Sequence, residues 1–127
     1  MMHRFDTETV TKYILEKVAE VTGNDGALLT NPSREAKFPA CVVQPPIQSP
    51  RHSGAALDLS ITVEVWANTQ YEAMRVFDQI RDALAEINLT KTNNTPLFQD
   101  AYTLKWRFGG YFETRWNAII NAFEINR

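Results

Sequence analysis

This chain contains few of the residues from which catalytic and metal sites are usually built. Cysteine occurs once, at Cys41, so the chain can form no internal disulfide and no cysteine cluster for a metal ion. The two histidines, His3 and His52, lie at no spacing that would bring a second metal ligand beside either of them. A nucleophile also needs a positioned histidine base, which neither histidine is predicted to supply. The sequence therefore favours a protein that is not an enzyme and has no cofactor.

Long apolar runs and an excess of one charge are also missing. No window approaches the roughly 18 apolar residues of a membrane span, and residues 1–4 lack the apolar core of a signal peptide. We therefore expect a cytosolic protein without a membrane partner. The formal net charge is -2, which disfavours sequence-specific binding of nucleic acid, since that function usually needs a basic surface.

The composition is that of one globular domain. A chain of 127 residues with 44% hydrophobic residues can bury a core of its own, and no linker, repeat or low-complexity tract divides it. We predict a single domain over residues 1–127. The lone Cys41, followed by Val42 and Val43, is expected to be a small buried hydrophobe.

The most regular pattern lies between residues 57 and 87. Apolar and polar residues alternate from Leu57 to Val65, which predicts a strand with one face in the core. Thr69 and Glu72 then have the spacing of a capping box at the start of a helix. The apolar face of this helix, which we expect to cover the dry face of the strand, consists of Ala73, Phe77, Ile80, Leu84 and Ile87.

Other segments predict a second helix and further strands. Asp6 or Thr7 can start an N-terminal helix that ends at residues 23–26, with Tyr13 beside an apolar stripe of Val10, Ile14, Val18 and Val21. Residues 27–30 and 38–44 suggest strands, whereas the polar segments 44–54 and 88–100 suggest two long loops.

The C-terminal part is predicted to form a hairpin. Tyr102, Leu104, Trp106 and Phe108 alternate with polar residues, and residues 109–110, both glycine, could supply its tight turn. The second strand would run from residue 111 or 112 to residue 125, with a bulge near residue 122.

These elements predict an α+β fold with two layers. The sheet would have four to five mostly antiparallel strands, with both amphipathic helices on one face and the order α-β-β-β-α-β-β. The carboxylates Asp78, Asp82 and Glu86 recur every four residues on the second helix, where a solvated, ion-paired face is the expected arrangement.

Four segments together resemble the tail terminator and head-to-tail joining proteins of long-tailed bacteriophages and prophages. They are the N-terminal amphipathic helix; the strand Phe38-Pro39-Ala40-Cys41-Val42-Val43; the strand Ile61-Thr62-Val63-Glu64-Val65-Trp66-Ala67 leading through Asn68-Thr69 into the Tyr71 to Ile87 helix; and the ending Phe123-Glu124-Ile125. The resemblance implies a structural protein that forms a ring, generally of six subunits, at the head-proximal end of the tail. Its partners would be its own copies, tail-tube proteins and head-connector proteins.

A head-to-tail ring needs two different surfaces on each subunit, and the two long loops have the length to supply them. We expect one or both loops to contact a neighbouring subunit or a tail partner, through Pro45, Pro46, Ile47, Pro50, Arg51, His52, Leu89, Lys91, Asn93, Asn94, Leu97 and Phe98.

Two other classes of function stay open at this point. The chain could be a cytosolic binding module, either a small-molecule sensor or a weak binder of single-stranded nucleic acid. The latter would use basic and aromatic residues of the C-terminal hairpin: Lys105, Trp106, Arg107, Tyr111, Arg115 and Trp116. An enzyme would need a cleft around His52 with a converging carboxylate.

Overall fold

A computed structural model describes residues 7–50, 56–117 and 122–123. The described residues confirm the predicted α+β class, since two helices cover one face of a mixed sheet. The helices are α1 (Thr7–Thr22) and α2 (Gln70–Ala85). The strands are β1 (Ala27–Leu28), β2 (Ala40–Val43), β3 (Ile47–Pro50), β4 (Ala56–Ala67), β5 (Thr90–Asn94), β6 (Phe98–Gln99), β7 (Trp106–Asn117) and β8 (Ala122–Phe123).

The sheet is built around one long antiparallel pair. β4 and β7 have 12 residues each and pair along their whole length, from Ala56 opposite Asn117 to Ala67 opposite Trp106. β2 and then β3 lie along the outer side of β4, and β1 lies parallel to β2. β6, β5 and β8 lie one after another along the outer side of β7. With these short strands, the sheet of the described residues has more strands than the four to five predicted.

The core lies between the helices and one face of this sheet. On β4, the alternating residues Leu59, Ile61, Val63 and Val65 are all buried. Cys41 is paired with Val65 and Phe112 with Ile61, so β2 and β7 continue the same apolar face. The helices contribute the residues that their periodicity predicted: Val10, Ile14, Val18, Ala73, Phe77, Ile80 and Leu84, with Ile87 just beyond α2. Burial of these apolar surfaces holds the two layers together.

The ends of both helices follow local chemistry. Thr69 Oγ1 accepts a hydrogen bond from Glu72 N at 3.1 Å, and a Glu72 carboxylate oxygen accepts one from Asn68 N at 2.9 Å. This reciprocal arrangement is the predicted capping box, except that the Glu72 carboxylate accepts from the N–H of Asn68 and not from that of Thr69. At the end of α1, Gly23 has a φ of 81° and donates its N–H to Ala19 O at 2.8 Å. Glycine enters this region without steric cost, which explains why the helix stops there.

The predicted turn at Gly109 and Gly110 is wrong. Both residues lie inside β7, and the chain continues straight through them. A Cβ at Gly109 would clash with Val63 O and lie 2.7 Å from Glu64 Cα. A Cβ at Gly110 would lie 2.7 Å from Asn93 O. The glycines therefore permit close approach of neighbouring strands and do not turn the chain.

The predicted C-terminal strand is also corrected by the pairing. Phe123 lies opposite Trp116 in an antiparallel ladder, so β7 and β8 are two paired strands and not parts of one strand with a bulge near residue 122. Residues 118–121 and 124–127 lie outside the described residues. The predicted hairpin with its turn at the two glycines is therefore wrong, because both glycines lie within one strand, where their lack of side chains lets neighbouring strands approach.

Both predicted long loops contain strands. Ile47–Pro50 pairs with β4, and Thr90–Asn94 and Phe98–Gln99 pair with β7. These polar segments complete their backbone hydrogen bonds against the long central strands, which local composition does not reveal. Elsewhere, the strand predicted over 38–44 is confirmed at Ala40–Val43, and the one over 27–30 at Ala27–Leu28.

Candidate functional site

The side of the sheet opposite the helices carries a cluster of polar and aromatic side chains around Arg107. Trp66 on β4 and Phe98 on β6 are the direct cross-strand neighbours of Arg107 on β7. Glu64 lies two residues before Trp66, and Asp100 follows β6 directly. We call Glu64, Trp66, Phe98, Asp100 and Arg107 the Arg107 cluster.

Arg107 is neutralised within this cluster. Its Nε and Nη2 donate hydrogen bonds to Glu64 Oε1 at 3.0 and 2.8 Å, and Nη1 donates to Asp100 Oδ1 at 3.3 Å. The guanidinium carbon lies 4.2 Å from the ring centroid of Trp66 and 4.7 Å from that of Phe98. Stacking of this kind adds a cation–π attraction to the ion pairs. The arrangement connects β4, β6 and β7, so we interpret it as a structural contact that stabilises the pairing of these strands.

The protonation of the titratable groups agrees with a structural role. Hydrogen bonds from the backbone and side chain of Thr103, with the charge of Arg107, lower the pKa of Asp100. The Asp100 carboxyl is therefore firmly ionised at neutral pH. Burial raises the pKa of the Cys41 thiol well above its usual range, and the nearby Glu64 adds to this effect. Cys41 is therefore a neutral core residue, as predicted, since only the thiolate is a good nucleophile.

The Arg107 cluster weakens the alternative of a nucleic-acid-binding hairpin. The positive charge of Arg107 is already matched by two carboxylates, and Trp106 is half-buried against the core. Lys105 donates to Asn68 Oδ1 at 2.6 Å, and Tyr111 is partly exposed on the open face. The side chains of Arg115 and Trp116 lie outside the described residues. The pairing of Arg107 with Glu64 was not predicted from the sequence.

A second feature is the turn formed by residues 100–105, which we call the 100–105 turn. Tyr102 and Leu104, predicted to lie in a strand of the C-terminal hairpin, are instead 65% and 64% exposed in this turn, because β7 begins only at Trp106. Arg34 Nε donates to Tyr102 O at 2.9 Å, and the Arg34 guanidinium lies 4.3 Å from the centroid of the Tyr102 ring. Alternation of apolar residues could not distinguish this turn from a strand.

The predicted interface residues of the first long segment lie on or beside β3. Ile47 is 69% exposed and Pro45 is exposed, whereas Pro46 is buried and unavailable to a partner. Pro50 ends β3. Arg51 and His52 lie outside the described residues, as does His3.

The second predicted interface segment is divided between the core and the surface. Leu89 is completely buried in the core, so its assignment to an interface is wrong. It packs inward because the chain returns from α2 to the sheet at this point. Leu97 is half-buried, and Phe98 is partly exposed while stacking on Arg107. The remaining members lie on β5: Lys91, Asn93 and Asn94.

The carboxylates of α2 are largely ion-paired, as expected. Arg81 contacts Asp78 at 3.3 Å and Asp82 at 3.2 Å. Glu86 contacts Lys17 of α1 at 2.8 Å and so connects the two helices. Within the described residues, no group of three histidine, cysteine or acidic side chains is placed to hold a metal ion. In the same residues, neither helix has the length and apolar character needed to cross a membrane.

Comparison of the chain with protein-family models and with curated proteins finds no match.

Proposed function

We propose that this chain is a structural protein that assembles head to tail into a ring at the head-proximal end of a phage or prophage tail. The ring would contain six subunits, and its other partners would be tail-tube and head-connector proteins. The protein would assemble in the host cytoplasm and remain in the virion tail of a functional phage. In this proposal the subunit carries no catalytic site and contributes by shape and contact alone.

The observation that carries the proposal is that the two flanks of the sheet differ in chemistry. On one flank, β3 presents the highly exposed Ile47, and the exposed Pro45 lies two residues before it. On the other flank, β5 presents exposed threonine and asparagine side chains. A head-to-tail contact joins two unlike surfaces, whereas a two-fold dimer needs one surface that matches itself. The order of elements that carried the resemblance, with β4 leading through a capping box into α2, supports the same proposal.

Charge is compatible with a tube through which DNA passes. The chain has a formal net charge of -2, and a strongly basic wall would instead retain the phosphates of a moving DNA molecule.

The test is the mass and shape of the purified full chain. Light scattering coupled to size exclusion should give one species with six times the chain mass of 14.5 kDa, and electron microscopy should show closed rings. Monomers that persist at high protein concentration would contradict the proposal.

Variants at the two flanks test which segment contacts the neighbour. Ile47→Lys on β3 and Asn93→Arg on β5 each introduce a charge at an exposed site, so at least one should dissociate the ring while far-UV circular dichroism stays unchanged. Intact rings in both variants would show that neither flank is part of the interface.

A further inference from the structure

The 100–105 turn holds two large apolar side chains in solvent on a constrained backbone. Leu104 has a φ of 62°, a left-handed conformation that is costly for leucine. Leu104 N donates to Asp100 O at 2.9 Å, Asp100 N donates to Lys105 O at 2.8 Å, and Gln99 Nε2 donates to Leu104 O at 3.0 Å. Strain of this kind persists where the surroundings enforce it, often at sites of contact. Side chains on a backbone that is already constrained also lose less conformational entropy when a partner binds.

Basic groups border these apolar side chains. The Arg34 guanidinium stacks on Tyr102, and Lys105 Nζ lies 4.7 Å from the centroid of the Phe38 ring. Among the described residues, neither Arg34 nor Lys105 is ion-paired with a carboxylate. The 100–105 turn and its border therefore form an apolar surface edged by two basic groups that have no ion pair among the described residues, which fits a protein surface rich in carboxylates.

The same chain carries such a surface on its helices. The helices α1 and α2, together with Glu86 after α2, contain seven acidic and four basic side chains, a formal net charge of -3. Lys12 and Arg81 are already paired with carboxylates of their own helix, and Lys17 with carboxylates of both helices. We call this surface the helix layer. Its excess of negative charge complements the border of the 100–105 turn.

We infer that the 100–105 turn of one copy docks on the helix layer of a second copy, with Leu104 and Tyr102 as the apolar anchors and Arg34 and Lys105 facing carboxylates. The contact joins two unlike surfaces, as a head-to-tail assembly requires. The inference rests on the proposed ring and deepens it by naming one of its contacts. It also gives a reason for the exposure of Leu104 on a strained backbone.

Sedimentation velocity of the full chain tests this contact. Leu104→Asn removes the apolar side chain while keeping a residue that tolerates the left-handed region, and Arg34→Glu reverses one charge of the border. Each should weaken self-association by at least about tenfold. The double variant Glu16→Lys with Asp82→Lys, which changes the helix layer from -3 to +1, should do the same. Leu29→Asn is the matched control, because it makes the same substitution at a leucine that is 53% exposed and lies outside the 100–105 turn and the helix layer, and it should leave association unchanged.

The outcomes separate this inference from the proposed function. Rings that persist in Leu104→Asn, Arg34→Glu and the helix-layer variant would overturn the contact and leave the ring proposal standing. If the variants weaken self-association but the wild-type protein forms only dimers or open chains, the contact is supported and the ring is contradicted. Monomeric wild-type protein would contradict both. Loss of association in Leu29→Asn as well would overturn the contact, since the effect would then not be specific to the 100–105 turn.

Discussion

At the scale of single residues, Arg107 shows how one side chain can organise an open sheet face. Its guanidinium contacts carboxylates from two elements and lies between two aromatic rings, so β4, β6 and β7 are joined at one point. Glu64 Oε1 also accepts a hydrogen bond from Trp66 Nε1 at 3.0 Å. Partly buried groups of this kind depend on each other, because removing one member leaves the others without a partner.

The lowered pKa of Asp100 predicts a specific dependence of stability on pH. A carboxylate whose pKa is lower in the folded state stabilises the fold above its unfolded-state pKa, about 3.9 for aspartate, and loses that effect as the pH falls through the folded-state pKa. The difference in free energy of unfolding between wild type and Asp100→Asn should therefore be constant near neutral pH and shrink below about pH 4. Urea denaturation over this range measures it.

Thr103→Val provides the companion measurement. It removes the hydroxyl that donates to Asp100 Oδ2 at 2.9 Å but keeps the hydrogen bond from the backbone N–H of Thr103. The free energy of unfolding of this variant should therefore still fall at acid pH, but by less than that of the wild type. An Asp100→Asn variant with the same pH profile as wild type would show that Asp100 does not titrate in this way.

At the scale of elements, β7 depends on glycine inside a strand. At Gly109, an added Cβ would meet the backbone of β4, which cannot move without disturbing the central pair. Gly109→Ala should lower the free energy of unfolding by about 2–3 kcal/mol. Thr90→Ala, at an exposed position of β5, should change it by less than about 0.5 kcal/mol. Chemical denaturation of both variants tests the difference, and a tolerated alanine at 109 would contradict the close approach of β4 and β7.

The contact between α2 and the sheet is centred on Phe77. Its ring is buried. The ring centroid of Phe77 lies 5.3 Å from that of Phe108, in an edge-on arrangement, and 5.9 Å from that of Phe112. Phe77→Ala should leave a cavity and cost about 3–5 kcal/mol of stability, measured by thermal or urea unfolding. Gln79→Ala on the exposed side of the same helix is the control and should cost less than about 0.5 kcal/mol. A Phe77→Ala variant as stable as the control would mean that this helix face is misassigned.

At the scale of the whole molecule, the central strand pair is longer than the helix that covers it. Twelve residues of β4 span about 40 Å, whereas sixteen residues of α2 span about 24 Å. β3 and β8 pair with the end of the central pair farthest from the start of α2. The described residues therefore form an elongated sheet with unlike flanks, and the proposed head-to-tail assembly would use this difference between the flanks.

Residues with a strong local pattern were predictable from the sequence. The alternation on β4, the apolar stripes of both helices and the capping box at Thr69 each depend on neighbours within a few positions, and each is confirmed. The burial of Cys41 followed from its apolar surroundings in the same way. Together they were sufficient for the α+β class and for the layer in which each helix lies, because hydrophobic periodicity specifies which face must be buried.

Only the tertiary structure decided the features that depend on distant partners. The pair of Glu64 and Arg107 spans 43 positions of sequence, and it exists because β4 and β7 adopt one register. β3, β5 and β6 are polar segments that become strands because the central pair offers free backbone groups. Gly109 is a packing site because β4 lies against it, and Gly110 because β5 does. Backbone pairing and close approach leave no local period in a sequence, so the turn that exposes Leu104 was decided by the fold alone.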